Sequence, residues 1–230
     1  TYLLTANEGD ARDYDGFSEE VDVKDLSLDP SAFPNAAMLQ EDAQLGDLKV
    51  TNTLGRTGQT NAEGEPTYDT LYAYGARSFS IRRADTAELV YDSGDDFERI
   101  TGERYGDAFN NDNSENDGDS RSDNKGPEPE AIAYGVIDGR RYAFIGLERM
   151  GGFLVYDITD VNAPVYVSYT NSRDVSADME TENGALVAGD LGPESIVFIP
   201  ADKSPVTGVA LLAVGNEVSG STTLYRLVLE

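Results

Sequence analysis

The 230-residue chain contains no cysteine and no histidine. Those absences remove disulfides, thiolate nucleophiles, zinc sites built from Cys or His, and every catalytic triad with a histidine base. Lysine is scarce as well, confined to Lys24, Lys49, Lys125 and Lys203, so arginine carries most of the 17 positive charges. Without a basic surface the chain is not built to hold nucleic acid or an anionic membrane. The longest apolar runs, near residues 131–137 and 209–214, are strand-length, so no transmembrane segment is expected. No basic stretch followed by an apolar one opens the chain, which puts any signal peptide outside it. No Asn-x-Ser/Thr sequon occurs, so N-glycosylation is not invited. What remains for chemistry is carboxylates, Arg, Lys, Tyr, Ser and Thr, together with a hard metal.

Acid is what the chain has in excess. Its 43 Asp and Glu leave a formal net charge of −26, which opposes compaction unless salt or bound cations screen it. A solvated surface adapted to sea water or brine would explain this, and so would divalent-cation binding. The two are compatible.

Short β-rich runs separated by Gly, Pro, Asn and Asp recur along the chain, and long 3.6-residue periods are scarce. The pattern predicts an all-β protein, specifically part of a β-propeller. Strands are expected at 130–137, 141–147, 152–158 and 165–170, the strand content of one blade. A second copy aligns with it. Pro193-Glu194-Ser195-Ile196 parallels Pro129-Glu130-Ala131-Ile132, and Asn216-Glu217 parallels Leu147-Glu148. Gly151 and Gly220 follow those acids by three residues, Tyr156 and Tyr225 by eight. A partial third copy is expected at the start, from Tyr2 to Glu8, continued at 76–82 and 88–91.

On this reading residues 1–230 are the C-terminal part of one propeller, about two and a half blades, with insertions at 9–74 and 107–125. The first insertion is expected to hold short strands at 21–26 and 45–53 and a short helix at 34–42. A closed propeller needs at least four blades. The expected partner is therefore the N-terminal part of the same propeller, in one chain or as a co-folded fragment.

Three constellations could carry chemistry. Glu8, Glu148 and Glu217 recur at equivalent strand ends, with Glu130 and Glu194 on the preceding strands. Propellers bring such ends toward one channel, and carboxylates with the Asn7 and Asn216 amides would supply the oxygens that Ca²⁺ requires. Each Glu could instead cap a turn or pair with an Arg of its own blade. The stretch 107–125 holds Asp112, Glu115, Asp117, Asp119 and Asp123, a composition suited to a calcium loop though without EF-hand spacing; a solvated insertion is the other reading. Residues 92–98 form a lesser candidate of that kind. Arg77 and Arg149, with Arg12 and Arg121, lie beside acids and could hold a phosphate bidentately while a metal activates water, or make ordinary salt bridges. Tyr14, Tyr156 and Tyr225 read as packed rings with bonded hydroxyls.

Several segments resemble the choice-of-anchor I family, which is related to mesenchyme-specific cell-surface glycoproteins. They are residues 5–14 (TANEGDARDY), 48–53, 75–80, 92–98, 120–130 (SRSDNKGPEPE), 144–149 (FIGLER) and 216–220. The resemblance implies a secreted or cell-surface propeller, an alkaline-phosphatase-like activity, and calcium- and mineral-associated roles. The expected function is an extracellular calcium-binding propeller serving surface attachment or mineral and phosphate handling. A secreted metal-dependent phosphomonoesterase is the alternative.

Overall fold

The structure, a computed structural model, describes residues 1–114, 116–177 and 187–228. It is all-β, without a closed barrel among the described residues, and divides into two compact units. The first comprises residues 1–8, 77–121 and 126–230, the second residues 9–76 and 122–125.

In the first unit, strand β1 (Tyr2–Ala6) precedes the second unit in sequence. The second unit carries seven short strands: β2 (Asp13–Tyr14), β3 (Phe17–Ser18), β4 (Glu20–Asp22), β5 (Ser27–Leu28), β6 (Lys49–Thr51), β7 (Arg56–Thr60) and β8 (Pro66–Tyr68). Its core gathers Val23, Leu26, Leu28, Val50 and Tyr68. The expected strand at 21–26 breaks after Asp22 into a 3-10 turn, because Gln40 bonds the Val23 and Leu26 carbonyls there. The expected helix shortens to α1 (Ala36–Leu39). Tyr14 is not a packed ring: it is 64% exposed at a hairpin tip, stacked on Phe17.

The first unit resumes with β9 (Phe79–Arg83) and β10 (Leu89–Asp92), which extend β1 into a sheet of order β1-β9-β10. Next come β11 (Pro129–Ile137), β12 (Arg140–Leu147), β13 (Phe153–Asp157) and β14 (Val165–Thr170), an antiparallel meander. A last meander follows from β15 (Pro193–Ile199), β16 (Ala210–Asn216) and β17 (Ser221–Leu227). Strict alternation sends the two faces of the middle sheet to different cores. Ala143, Ile145, Leu147, Leu154 and Tyr156 meet Phe79, Ile81 and Phe97, while Tyr142, Phe144, Phe153 and Val155 meet Ile196, Leu212 and Val214. Three consecutive meanders packed face to face are compatible with neighbouring propeller blades.

A helix, α2 (Asp96–Tyr105), sits where residues 92–98 suggested an acidic loop. Phe97, Ile100 and Thr101 are its buried side, and Asp96 accepts a 2.8 Å bond from the Tyr156 hydroxyl. Only one turn of apolar spacing marks it, so its signal is weak in the sequence. Asp92 closes β10 by accepting bonds from Ser78 and Ser80.

Candidate metal centre

The site forms at one end of the three meanders, where first strands begin and second strands end. Glu148 follows β12, and its backbone N–H donates to the Glu128 carbonyl at 2.8 Å. Glu217 follows β16 and donates likewise to Gly192 at 2.7 Å. Glu128 and Gly192 are thus equivalent, and both have positive φ, +52° and +69°. A left-handed backbone suits Gly but costs a side-chain-bearing residue of order 1 kcal/mol. The middle meander keeps Glu where the last has Gly, and that strained backbone places a carboxylate at this point.

Carboxylate oxygens of Glu8, Glu128 and Glu148 lie within 4.8 Å of one another. Glu128 is fully buried and Glu148 is 7% exposed. Two guanidiniums stand beside them. Arg121 bonds Glu128 Oε1, while Arg149 places Nε 3.3 Å from Glu128 Oε2 and Nη2 3.3 Å from Glu148 Oε1. Charge is costly in so buried a place. Burial, above all, pushes the Glu148 carboxyl up to about 8, with Glu128 adding to the rise and Arg149 opposing it. Glu130 is pushed up to about 7, by burial first and then by Glu8, Glu194 and Glu217. Glu194 is raised by a hydrogen bond and charge from Glu217. The five glutamates expected from the repeat therefore converge, and Glu128 joins them.

The other expected residues have neighbours of their own. Asn7 donates to Ser80 at 2.7 Å and to Ser78 at 3.1 Å, and Asn216 donates to Ser221 at 3.1 Å. Arg77 pairs with Glu98 at 2.8 Å, so its fork is shared with an acid. Arg149 donates its remaining arm to Asn113 at 3.0 Å. Asp112 sits 3.8 Å from Arg121 and 4.0 Å from Arg149; against burial, hydrogen bonds from Ser114 and then these cations hold its carboxyl below the usual range. Asp117 and Asp119 are exposed, Asp123 belongs to the second unit, and Glu115 lies outside the described residues.

The described residues from 107 to 121 include buried amides. They are those of Asn110, Asn111 and Asn113. Arg173, 5% exposed, clamps this stretch by donating to Asn111 Oδ1 (2.9 Å), Asn116 Oδ1 (2.8 Å) and the Asp112 carbonyl (2.5 Å). The same guanidinium donates to the Arg149 carbonyl at 2.6 Å. Arg173 had no mark in the sequence, since it lies in a segment that reads only as a long loop.

The sequence model of the Choice-of-anchor I domain matches residues 1–161. Gigasin-3a of Magallana gigas is 34% identical over 197 residues, covering 82% of this chain and 66% of that protein. The mesenchyme-specific cell surface glycoprotein of Strongylocentrotus purpuratus is 23% identical over 259 residues, covering 97% of this chain and 32% of that one. The chain thus spans just under two thirds of one relative and about a third of the other. No solved structure is significantly similar to it.

Proposed function

Because the chain belongs to the choice-of-anchor I domain family, we propose that it is an extracellular or cell-surface module that binds a divalent cation between Glu8, Glu128 and Glu148. The location rests on the family and on the name of the sea-urchin relative; no helix among the described residues is long and apolar enough to cross a membrane. The observation that carries the cation is the close approach of three carboxylates in a buried, acid-surrounded place. Such a donor set suits a hard ion, and calcium accepts the flexible, all-oxygen coordination that glutamates provide. Glu130 and water would complete the shell. A bound dication would offset the burial and the repulsion that raise the Glu148 and Glu130 carboxyls, and binding would release the protons they hold. Held in this way, the ion would tie the ends of successive sheets together, which suits a structural or attachment role.

A phosphomonoesterase reading would need Arg77 or Arg149 to grip phosphate. Their engagement with Glu98, Glu128, Glu148 and Asn113 weighs against it.

Calorimetric titration of the chelated protein with CaCl₂ tests the proposal, with melting followed in parallel. Native-state binding raises stability by about 2.7 kcal/mol at one hundred times Kd. Saturable heat and a rising Tm, both lost in Glu128→Gln, are expected. No heat and no shift at millimolar calcium defeats the reading. Phosphate release from an aryl monoester by the calcium-loaded protein would move the function to the alternative.

A further inference from the structure

The hairpin of β2 and β3, in the second unit, is built of two rungs with related chemistry. Glu19 donates its backbone N–H to the Arg12 carbonyl at 3.1 Å, and Tyr14 pairs with Phe17 one rung further out. Residues two apart on a strand share a face, so Arg12, Tyr14, Phe17 and Glu19 stand together on one side.

The inner rung is an assembled unit of ring, guanidinium and carboxylate. Arg12 donates from its backbone N–H to Glu19 Oε1 at 2.9 Å and from Nε to Oε2 at 3.0 Å. Its guanidinium also lies 5.5 Å from the centre of the Phe17 ring. Glu19 is buried and anchors the hairpin base. It accepts from the Thr53 hydroxyl at 3.3 Å, and its carbonyl takes the Asn52 N–H at 2.8 Å.

The outer rung presents a ring and two carboxylates to solvent. Tyr14 stacks on Phe17 with ring centres 5.5 Å apart, yet is 64% exposed. It takes no part in the core around Val23, Val50 and Tyr68. Asp13 and Asp15 precede and follow it, and both are exposed. Among the described residues, neither carboxylate has a hydrogen-bond or ion-pair partner. Gly16 turns the chain at φ +88°, and a Cβ there would meet nothing within 4 Å, so the tip is open to approach.

We propose that this tip, residues 13–17, docks an arginine side chain from an extended segment of a second, basic protein. A planar guanidinium can lie flat on the Tyr14 ring while its edge N–H groups reach carboxylates, which a compact ammonium cannot do. Arg12 makes that same arrangement with Phe17 and Glu19 inside the hairpin. Charge decides the source of the occupant. At a net −26 a second copy of this chain is repelled, whereas a basic protein is drawn in. The docking shares no residue with the cation site and does not depend on it.

The probe is the end-capped peptide Ser-Gly-Arg-Gly-Arg-Gly-Ser, with a lysine twin, titrated at about 0.15 M salt so that distant charges are screened. Amide shifts of the isotope-labelled whole chain report where each peptide binds. With the arginine peptide they should centre on residues 12–18. Tyr14→Ser should weaken that binding by about threefold or more, and Tyr14→Phe should retain it. Asp13→Asn combined with Asp15→Asn should weaken it by about threefold; the Asn-Gly that results is itself a favoured hairpin turn, so the tip keeps its fold. Tyr72→Ser removes another exposed ring of the same unit and should change nothing. Equal affinity for the lysine twin, equal loss in Tyr72→Ser, or shifts spread over the acidic surface overturn the proposal, since each means bulk attraction to a polyanion. No shift at millimolar peptide also overturns it. So do hairpin shifts that grow with protein concentration in the absence of peptide, which would give the tip to a second copy.

Discussion

The backbone N–H of Glu148 reaches the carbonyl oxygen of Glu128 at 2.8 Å, and that single bond sets two buried carboxyls side by side. The bond joins the main chains, so it fixes where both side chains begin. Arg149 then lies within 3.3 Å of both. The pair is poised between two ways of relieving its repulsion, a shared proton or a bound cation.

Glu148→Gln separates these. Charge on Glu148 is disfavoured in the fold, which is why its carboxyl is held up at about 8. Above pH 8 the metal-free variant should melt at or above the native chain, while its stabilisation by calcium falls away. Melting curves at pH 8.5, with chelator and with calcium, check both halves.

The metal-free chain should lose stability as pH rises from about 5 to 8. Glu130 and Glu148 stand at about 7 and 8, above their ordinary 4.5. A raised carboxyl binds its proton more tightly when folded, so its contribution is whole below the unfolded value and is lost as pH passes the folded one. Glu19 works in the opposite window. Held at about 2 by hydrogen bonds from Arg12, it stabilises above 4.5, and that contribution is lost as pH falls toward 2. Chemical denaturation across pH 5 to 9 should slope downward without calcium and flatten with it.

Arg173→Ala should cost on the order of 3 kcal/mol, because a buried charged donor leaves several acceptors at once. Since Arg173 holds the Arg149 carbonyl, calcium affinity should also drop. Urea denaturation and repeat calcium calorimetry measure the two effects. An unchanged affinity would separate the 107–121 segment from the acid cluster.

Gly152→Ala tests the joint that returns β12 into β13. Gly152 has φ +70°, and a Cβ there would lie 2.2 Å from the Thr170 carbonyl oxygen. Strain from the left-handed backbone and displacement of β14 should together exceed about 2 kcal/mol, seen as a fall in the urea midpoint. Gly139, at φ +82° in an open hairpin turn with nothing near it, should lose only the backbone term on the same change.

Much of the fold was legible because its signals are local. The Asp138-Gly139 turn, the alternation through 129–147 and the matched spacing of Glu148–Gly151–Tyr156 with Glu217–Gly220–Tyr225 each lie within a few residues. They place strands almost to the residue. The convergence of Glu8, Glu130, Glu148, Glu194 and Glu217 was legible too, since equivalent positions in repeated sheets share one end. Glu128 escaped the same logic: its counterpart is Gly192, so the repeat itself hid it. Helix α2 escaped because ten residues with one Gly and three buried positions make a faint period.

By itself, then, the sequence determined the strands, their repetition and the excess of acid, all set by alternation, turn chemistry and composition. Only the tertiary structure decided which acids lose water, which arginines stand against them, and that Arg173 orders a loop rich in Asn and Asp. Those outcomes depend on burial and on pairs far apart in the chain, such as Arg173 with Asn111, 62 residues away. Desolvation and long-range pairing are properties of the packed chain, and no local pattern encodes them.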